Sequence, residues 1–590
     1  MRMNQPKLRI LLAGLTAFCA IFLLTYYAYG QRNEFDARAP YGDALEQPPA
    51  PAEMALAEAA PAPVSCRYGV AYLPGFQQSL QWVPTLGAGW YINFGIAGAP
   101  VNSAEFAPVV RLRQNWAVDA QGNRLYRLPT YTFNPPLVYQ YLDQNNRLQN
   151  GLGAYIANSP GQLWIIGNEP DVNNDVQDNI FPQVYARAYH DAYQFIKRMD
   201  PTARVAVAGL SMMTPGRLQY LTLVWDTYRQ TYGTDMPVDV WNMHLYILEE
   251  RNPLNTLEYG DGKIALGTDP AIAKLSSNNT ASFCPNPYAS DTPSNDPRPD
   301  VYCISEHDSA RIFSEQVIAM RQWMKARGQQ NKPLIISEFG LLFPYVLDPG
   351  GTYNRTDEFV RPFDPGRVTT YMNRTMDYME NTKDPNLGYP ADENRLIQQW
   401  LWYSIVTDLE WSGGSSNLII NDYAQYPIGS SQALTPMGYN YLNRATTAAM
   451  ASTSNLAGGE AANVIGSVSA TSNKVNVTLT ASFRNSGTLS IVDPVTVTFY
   501  AGSPGNTANP IGSAVYNPAS SGAIAGCTWG DRNSERVSIR WNDLPVGNHT
   551  YWARIDSTNV IAETNEGDNN TTMGRVTIYP YSQSIPVINR

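Results

Sequence analysis

At 590 residues the chain is too long for one ordinary core and predicts two or more domains. Its 44% hydrophobic and 16% charged content exclude a disordered chain. The net charge of -10 argues against a nucleic-acid partner, whose phosphates would be repelled, and suits a protein that acts on neutral ligands.

In chain order, residues 1–30 carry Arg2, Lys7 and Arg9 and then the apolar run "ILLAGLTAFCAIFLLTYYAYG". A basic end before an apolar stretch reads as an export signal. Ala28 and Gly30 have the small-residue spacing for cleavage before Gln31. The run is also nearly long enough to span a bilayer, so an uncleaved membrane anchor stays open. The expected location is secreted or extracytoplasmic, either released or anchored at the cell surface. Residues 31–65 are Ala/Pro-rich and read as a linker.

From Cys66 short apolar runs alternate with amphipathic ones. The reading is strand "RYGVAY", helix "QQSLQWVPTL", strand "GWYINFG", strand "FAPVVRLR", helix "PPLVYQYLDQNNRLQ" and strand "QLWIIGNE". Helix "FPQVYARAYHDAYQFIKRM", strand "ARVAVAGL", helix "GRLQYLTLVWDTYRQTYG" and strand "VDVWNMHLYI" follow. After a long loop come helix "SARIFSEQVIAMRQWMKARG" and strand "PLIISEFG". A helical turn "RLIQQWLWYSIVTD", an ill-defined strand near "EWSGGSSNLII" and helix "PMGYNYLNRAT" close the repeat. Strands alternating with helices predict a parallel sheet, and about eight of them over residues 66–450 predict an α/β (β/α)8 TIM barrel. A doubly wound open sheet is the alternative, although no Gly-rich nucleotide turn follows any strand.

Residues 451–469 are small and polar and read as a second linker. Over 470–582 the segments "KVNVTLTASFRNSG", "VDPVTVTFYAG", "ERVSIRW" and "HTYWARID" alternate at period two, which predicts a small all-β, immunoglobulin-like sandwich.

Reactive groups of a (β/α)8 barrel sit at the C-terminal ends of its strands. The fourth strand ends in Asn168-Glu169 and the seventh in Ser337-Glu338. Alternation places Leu163, Ile165, Gly167 and Glu169 on one face, and Leu334, Ile336 and Glu338 on one face. If both faces point inward, the two carboxylates meet at the mouth. A protonated carboxyl beside an ionised one is the equipment of glycoside hydrolysis. The alternative for each Glu is a carboxylate favoured by a helix N-terminus, which leaves the matched strand positions unexplained.

"GNEP" and "SEFG" at these strand ends resemble the two signatures of the clan A glycoside hydrolases. The resemblance implies that Glu169 is the general acid/base, that Glu338 is the nucleophile, and that the anomeric configuration is retained. It implies a sugar-binding role for Asn168. "HLY" resembles the clan's His-x-Tyr, which implies that Tyr246 steers Glu338 and that His244 lines the site; Asn242, His244 and Tyr246 share a face. "GWYINF" and "NEPD" resemble family 128 endo-β-1,3-glucanases.

Arg111 and Arg113 near the end of the third strand would bind a carboxylate or a hydroxyl, or form a structural ion pair. Trp402, Tyr403 and Trp411 are candidates for a stacking wall under a sugar, with core packing the stronger reading for Trp402 and Tyr403. Asp171 reads as support for the site or as a cap. The loop from Glu249 to Ser305 is too long for a plain connection and is expected to form one wall of the cleft. A Cys284–Cys303 disulfide would pin it, with two free thiols as the alternative. The four His are scattered, so no zinc site, and no cofactor, is expected.

"ARIDSTNVIAETNEGDNNTTMGRVTI" resembles the CARDB module of bacterial surface proteins, which implies display or adhesion. Its Asp556, Glu563, Glu566 and Asn569 read as turn chemistry, with calcium ligation as the alternative. The function expected is an exported retaining glycoside hydrolase acting on a neutral polysaccharide or oligosaccharide. A catalytically inactive, carbohydrate-binding or adhesive barrel is one alternative, and transfer to acceptor sugars is another.

Overall fold

The computed structural model describes residues 63–98, 101, 104–248, 250, 264–273, 302–343, 356–357, 359–409, 413–468, 474–528 and 535–579. The export segment, most of the first linker, Cys284 and Trp411 lie outside them. Among the described residues no helix is long and apolar enough to cross a membrane.

The first part of the described chain is mixed α/β, and eight of its strands pair in parallel. They are β1 (Tyr68–Ala71), β2 (Trp90–Ile92), β3 (Val109–Val118), β4 (Leu163–Asn168), β5 (Arg204–Gly209), β6 (Trp241–Leu245), β7 (Leu334–Phe339) and β8 (Gln399–Trp402). Strands β6, β7, β8, β1 and β2 pair in that order, and β3, β4 and β5 form a second run. All of these pairings are parallel. A parallel bridge from Ala206 to Val240 joins β5 to the residue before β6. Bonds from Ala107 N to Tyr91 O and from Val109 N to Gly95 O join the other ends of the two runs.

One apolar cluster takes side chains from every strand or its immediate flank. It holds Ala71, Trp90, Ile92, Val109, Leu163, Ile165, Ala206, Val240, Ile335 and Leu401, all buried. These runs are rich in Val, Ile and Leu because a parallel sheet is covered on both faces.

Helices α1 (Pro182–Met199), α2 (Pro215–Tyr232), α3 (Ala310–Lys325) and α4 (Pro365–Asn381) follow β4, β5, β6 and β7. Helix α5 (Pro436–Ala451) follows β8. Four of the five open with Pro, whose missing N–H is not needed in a first turn. The side chains of Thr214, Ser309, Asp364 and Thr435 cap backbone amides of α2, α3, α4 and α5.

Three expectations change. The helix expected over "PPLVYQYLDQNNRLQ" is instead two short antiparallel strands, Gln140–Leu142 and Leu148–Asn150. Asp143 turns the chain between them, accepting Asn145 N at 2.8 Å and Arg147 N at 2.9 Å. The segment "RLIQQWLWYSIVTD" supplies β8 rather than a helical turn, and α4 has no counterpart among the sequence expectations. Residues expected to link the domains form strand β9 (Leu456–Val468).

Strand β9 opens the C-terminal β-sheet region. Six more follow: β10 (Val475–Asn485), β11 (Val495–Ala501), β12 (Pro510–Tyr516), β13 (Glu535–Leu544), β14 (Gly547–Arg554) and β15 (Gly574–Ile578). One sheet has the order β9-β10-β13 and the other β12-β11-β14-β15. Alternate residues of both, among them Val477, Leu479, Phe483, Val497, Phe499, Tyr551 and Val576, meet in one buried core.

A disulfide between Cys66 and Cys527 ties the chain two residues before β1 to this region. Cys66 N also donates to Thr488 O at 3.0 Å, and Ser65 bridges Leu489. The end of the expected first linker is therefore paired to the sandwich. Cys303 is also disulfide-bonded, and its expected partner Cys284 is outside the described residues.

Candidate active site

Strand β4 leaves the sheet by an unusual path. Gly167 has φ 97° and Glu169, which is not Gly, has φ 42°. A side chain at Gly167 would crowd Leu112, Asp178 and Ala208. Left-handed backbone at a Glu costs on the order of 1–2 kcal/mol, so the surroundings must hold it. Glu169 N donates to Gly209 O at 3.1 Å, and its carbonyl accepts Val172 N at 3.1 Å. Asn168 N donates to Asp178 Oδ2 at 2.7 Å.

The Glu169 side chain is 2% exposed and meets β6. Its Oε1 lies 2.9 Å from His244 Nδ1. The same nitrogen lies 3.5 Å from Glu338 Oε2 on β7. Tyr246 donates its hydroxyl to Glu338 Oε1 at 2.6 Å. Facing ligand atoms of Glu169, His244 and Glu338 all lie within 4.8 Å of one another. Burial holds His244 below the ordinary imidazole range, against the upward pull of Glu338 and Asp171, so it is neutral. Burial, followed by the charge of Glu338, raises the Tyr246 phenol well above its usual value and keeps it a donor.

The structure thus brings Glu169, Glu338, His244 and Tyr246 together, but the face expected for β7 is wrong. Ile335, not Ile336, joins the shared apolar cluster. The register then shifts: Met243 is opposite Ile336 and His244 is opposite Glu338, which leaves Ser337 bulged. The extra residue turns Glu338 back toward the site.

Other expected residues fall behind this group. Asn168 is buried and donates its amide to Gln177 Oε1 at 2.6 Å. Arg111 reaches neither Glu: it bonds Asp178 Oδ1 at 2.6 Å and Val176 O at 2.7 Å, and so braces the loop after Glu169. The structural ion pair is the reading its contacts fit. Arg113 similarly holds Asp175 O. Asp171 is no cap; it is fully buried against Arg217, which also pairs with Glu250 at 3.1 Å. Burial would lower the Arg217 pKa, but the two carboxylates outweigh it and the group stays charged. Neither Arg217 nor Glu250 had a motif to announce it. Within the long loop, Leu266 N bonds Asp171 O at 2.9 Å, which seats that part of it against the same strand end.

Trp402 is fully buried and donates to Ser416 O, so it is core. Tyr403 is half-buried. Its ring is edge-on to Tyr246 at 6.4 Å and to Phe94 at 6.2 Å. The aromatic rings next to Tyr246 are therefore Tyr403 and, beyond it, Phe94, which was not among the expected site residues.

In the sandwich, Asp556 accepts Val560 N and Ile561 N and so closes its own turn. Glu563 and Glu566 both accept from Asn569.

Residues 461–573 match the CARDB family model. No curated protein matches the chain in sequence. Solved structures to which it is similar include a bifunctional glucanase-xylanase from a metagenome library, at 10% identity and TM-score 0.27, covering 83% of this chain and 96% of that one. A xylanase from Cellvibrio japonicus is 12% identical at TM-score 0.31, over 65% of this chain and 97% of its own. The CARDB domain of a Pyrococcus furiosus protein, solved with di-metal ions, is 13% identical at TM-score 0.14, over 22% of this chain and 94% of its own.

Proposed function

We propose that this chain is an exported retaining glycoside hydrolase that cleaves a neutral polysaccharide or oligosaccharide on a (β/α)8 barrel. Support for the barrel comes from the parallel pairings, the links between the two strand runs, and an apolar cluster drawn from all eight strands or their immediate flanks. The observation that carries the function is the approach of Glu169 and Glu338, whose facing oxygens lie within 4.8 Å. Carboxyl groups about 5–5.5 Å apart suit direct attack on the sugar, whereas a gap of about 6.5–9.5 Å admits the water of an inverting enzyme.

In the first step Glu169 gives its proton to the leaving oxygen while Glu338 attacks the anomeric carbon and the glycosidic bond breaks. Water, deprotonated by Glu169, then releases the sugar from Glu338. Tyr246 holds the attacking carboxylate, His244 bridges the pair, and Phe94 and Tyr403 offer ring faces to the substrate. Export is supported by the basic and apolar first residues and by the Cys66–Cys527 disulfide, a bond that persists in oxidising compartments. The short likeness to family 128 makes β-1,3-glucan the first substrate to screen, followed by mixed-linkage glucan, xylan, mannan and arabinan.

Glu338→Ala is expected to abolish turnover and to regain it with azide, yielding a glycosyl azide of inverted configuration. Glu169→Ala should spare substrates whose leaving groups need no proton. Full activity in either variant overturns the assignment. The His and two Glu also form the donor set of a divalent-cation site, which is the second reading; activity lost to EDTA and restored by a cation would favour it.

A further inference from the structure

The bulge that aims Glu338 has an identifiable support. The β6–β7 pairing skips Ser337 between Ile336 and Glu338, so the ladder is irregular at its amide. Asn242 Oδ1 accepts that amide at 3.2 Å. The other end of the same side chain donates from Nδ2 to Val207 O on β5 at 3.3 Å. Here too the backbone is irregular. Val240 N bonds Val205 O, whereas His244 N bonds Leu210 O, so the β5–β6 register slips by one residue between them. Asn242 is 2% exposed and sits in that interval, on the same face of β6 as His244 and Tyr246.

We propose that Asn242 is a positioning residue for the nucleophile. By bonding the backbone on both flanks of β6 at once, its amide fixes the bulge that sets Glu338 opposite His244. An amide is needed, because one end must accept and the other donate. Leu has similar volume and can do neither. Asp keeps the acceptor for Ser337 N and loses the donor to Val207 O.

The inference rests on Glu338 being the nucleophile, so the test reads that first. A 2-deoxy-2-fluoro glycoside of whichever sugar the wild-type protein hydrolyses should label Glu338, as shown by peptide mass. Label on another residue would sink the assignment of the nucleophile and leave the geometry of Asn242 without a catalytic consequence. With Glu338 labelled, Asn242→Leu should slow the labelling and lower kcat by on the order of 10²-fold, with KM nearly unchanged. The loss should be equal for good and poor leaving groups, because proton donation is untouched. Asn242→Asp should recover part of the labelling rate. Wild-type labelling rates in an Asn242→Leu protein that retains a cooperative thermal transition would overturn the proposal. So would a loss confined to poor leaving groups, which would mark Asn242 as a support of Glu169.

Discussion

Tyr246 and Glu338 share a 2.6 Å hydrogen bond from phenol to carboxylate, deep enough that Tyr246 is 1% exposed. A donor aimed at a carboxylate favours its charged form, which is the form the proposed nucleophile must take. Tyr246→Phe removes only the oxygen. The expected result is a fall in kcat of roughly 10- to 100-fold, and an acidic limb of kcat/KM that moves to higher pH because Glu338 ionises less readily. An unmoved limb with wild-type kcat would show that the bond is not used.

Gly209 stands behind His244. A methyl there would overlap Cδ2 and Nε2 of the imidazole, and the Gly209 carbonyl also receives the Glu169 amide at 3.1 Å. Gly209→Ala must push His244 off Glu169. Expected is a loss of activity on the order of 10²-fold, larger for poor leaving groups than for activated ones, since Glu169, the proposed proton donor, loses its partner. Parallel assays with aryl glycosides of graded leaving-group pKa would show the slope steepen. Gly209→Ala with wild-type rates throughout would mean that the imidazole position is irrelevant.

Much of this site was legible because strand ends are where polar residues break an apolar run. Period-two alternation placed Leu163 and Ile165 in the interior, and "NEP" and "SEF" marked the exits. The assigned face of β7 failed because a bulge adds one residue and leaves no compositional mark; Ser337 is neither Gly nor Pro. The helix expected over residues 135–149 failed because Leu137, Val138, Tyr141 and Leu142 imitate a helical stripe. The Pro135-Pro136 pair and the Asp143 turn overrode that stripe. The Arg217–Glu250 support escaped notice since its partners are distant in sequence and joined only by the fold.

His307 links the ends of β6 and β7, which carry Tyr246 and Glu338. Its Nδ1 meets Ile247 O at 2.7 Å, and its Nε2 accepts Leu342 N at 2.8 Å, so the ring must be neutral to make both bonds. Burial lowers its pKa from 6.5 to about 4. The unfolded chain therefore takes up a proton first, and stability from this group is lost as pH falls from about 6.5 through 4. The full loss is about 3 kcal/mol. Unfolding followed at pH 7, 5.5 and 4 should show the decline, and His307→Gln should flatten it while lowering stability at pH 7. Equal slopes in both proteins would assign the acid sensitivity elsewhere.

The Cys66–Cys527 disulfide joins residues 461 positions apart and lies just before β1. Because β1 to β8 run parallel to one another, that is the end opposite the one bearing Glu169 and Glu338. Cross-linking so distant a pair restricts the unfolded chain strongly, and the loss of a native disulfide commonly costs about 2–5 kcal/mol. The double substitution Cys66→Ser, Cys527→Ser should lower the thermal midpoint by several degrees, measured by calorimetry. It should also speed proteolytic release of the sandwich, where contacts such as Ser65–Leu489, Cys66–Thr488 and Val64–Ser490 would be left to carry the junction. Activity per folded molecule should stay close to wild type, since the staple and the carboxylates sit at opposite strand ends. A kcat that falls with the disulfide while the thermal midpoint holds would instead couple the sandwich to catalysis through the length of the sheet.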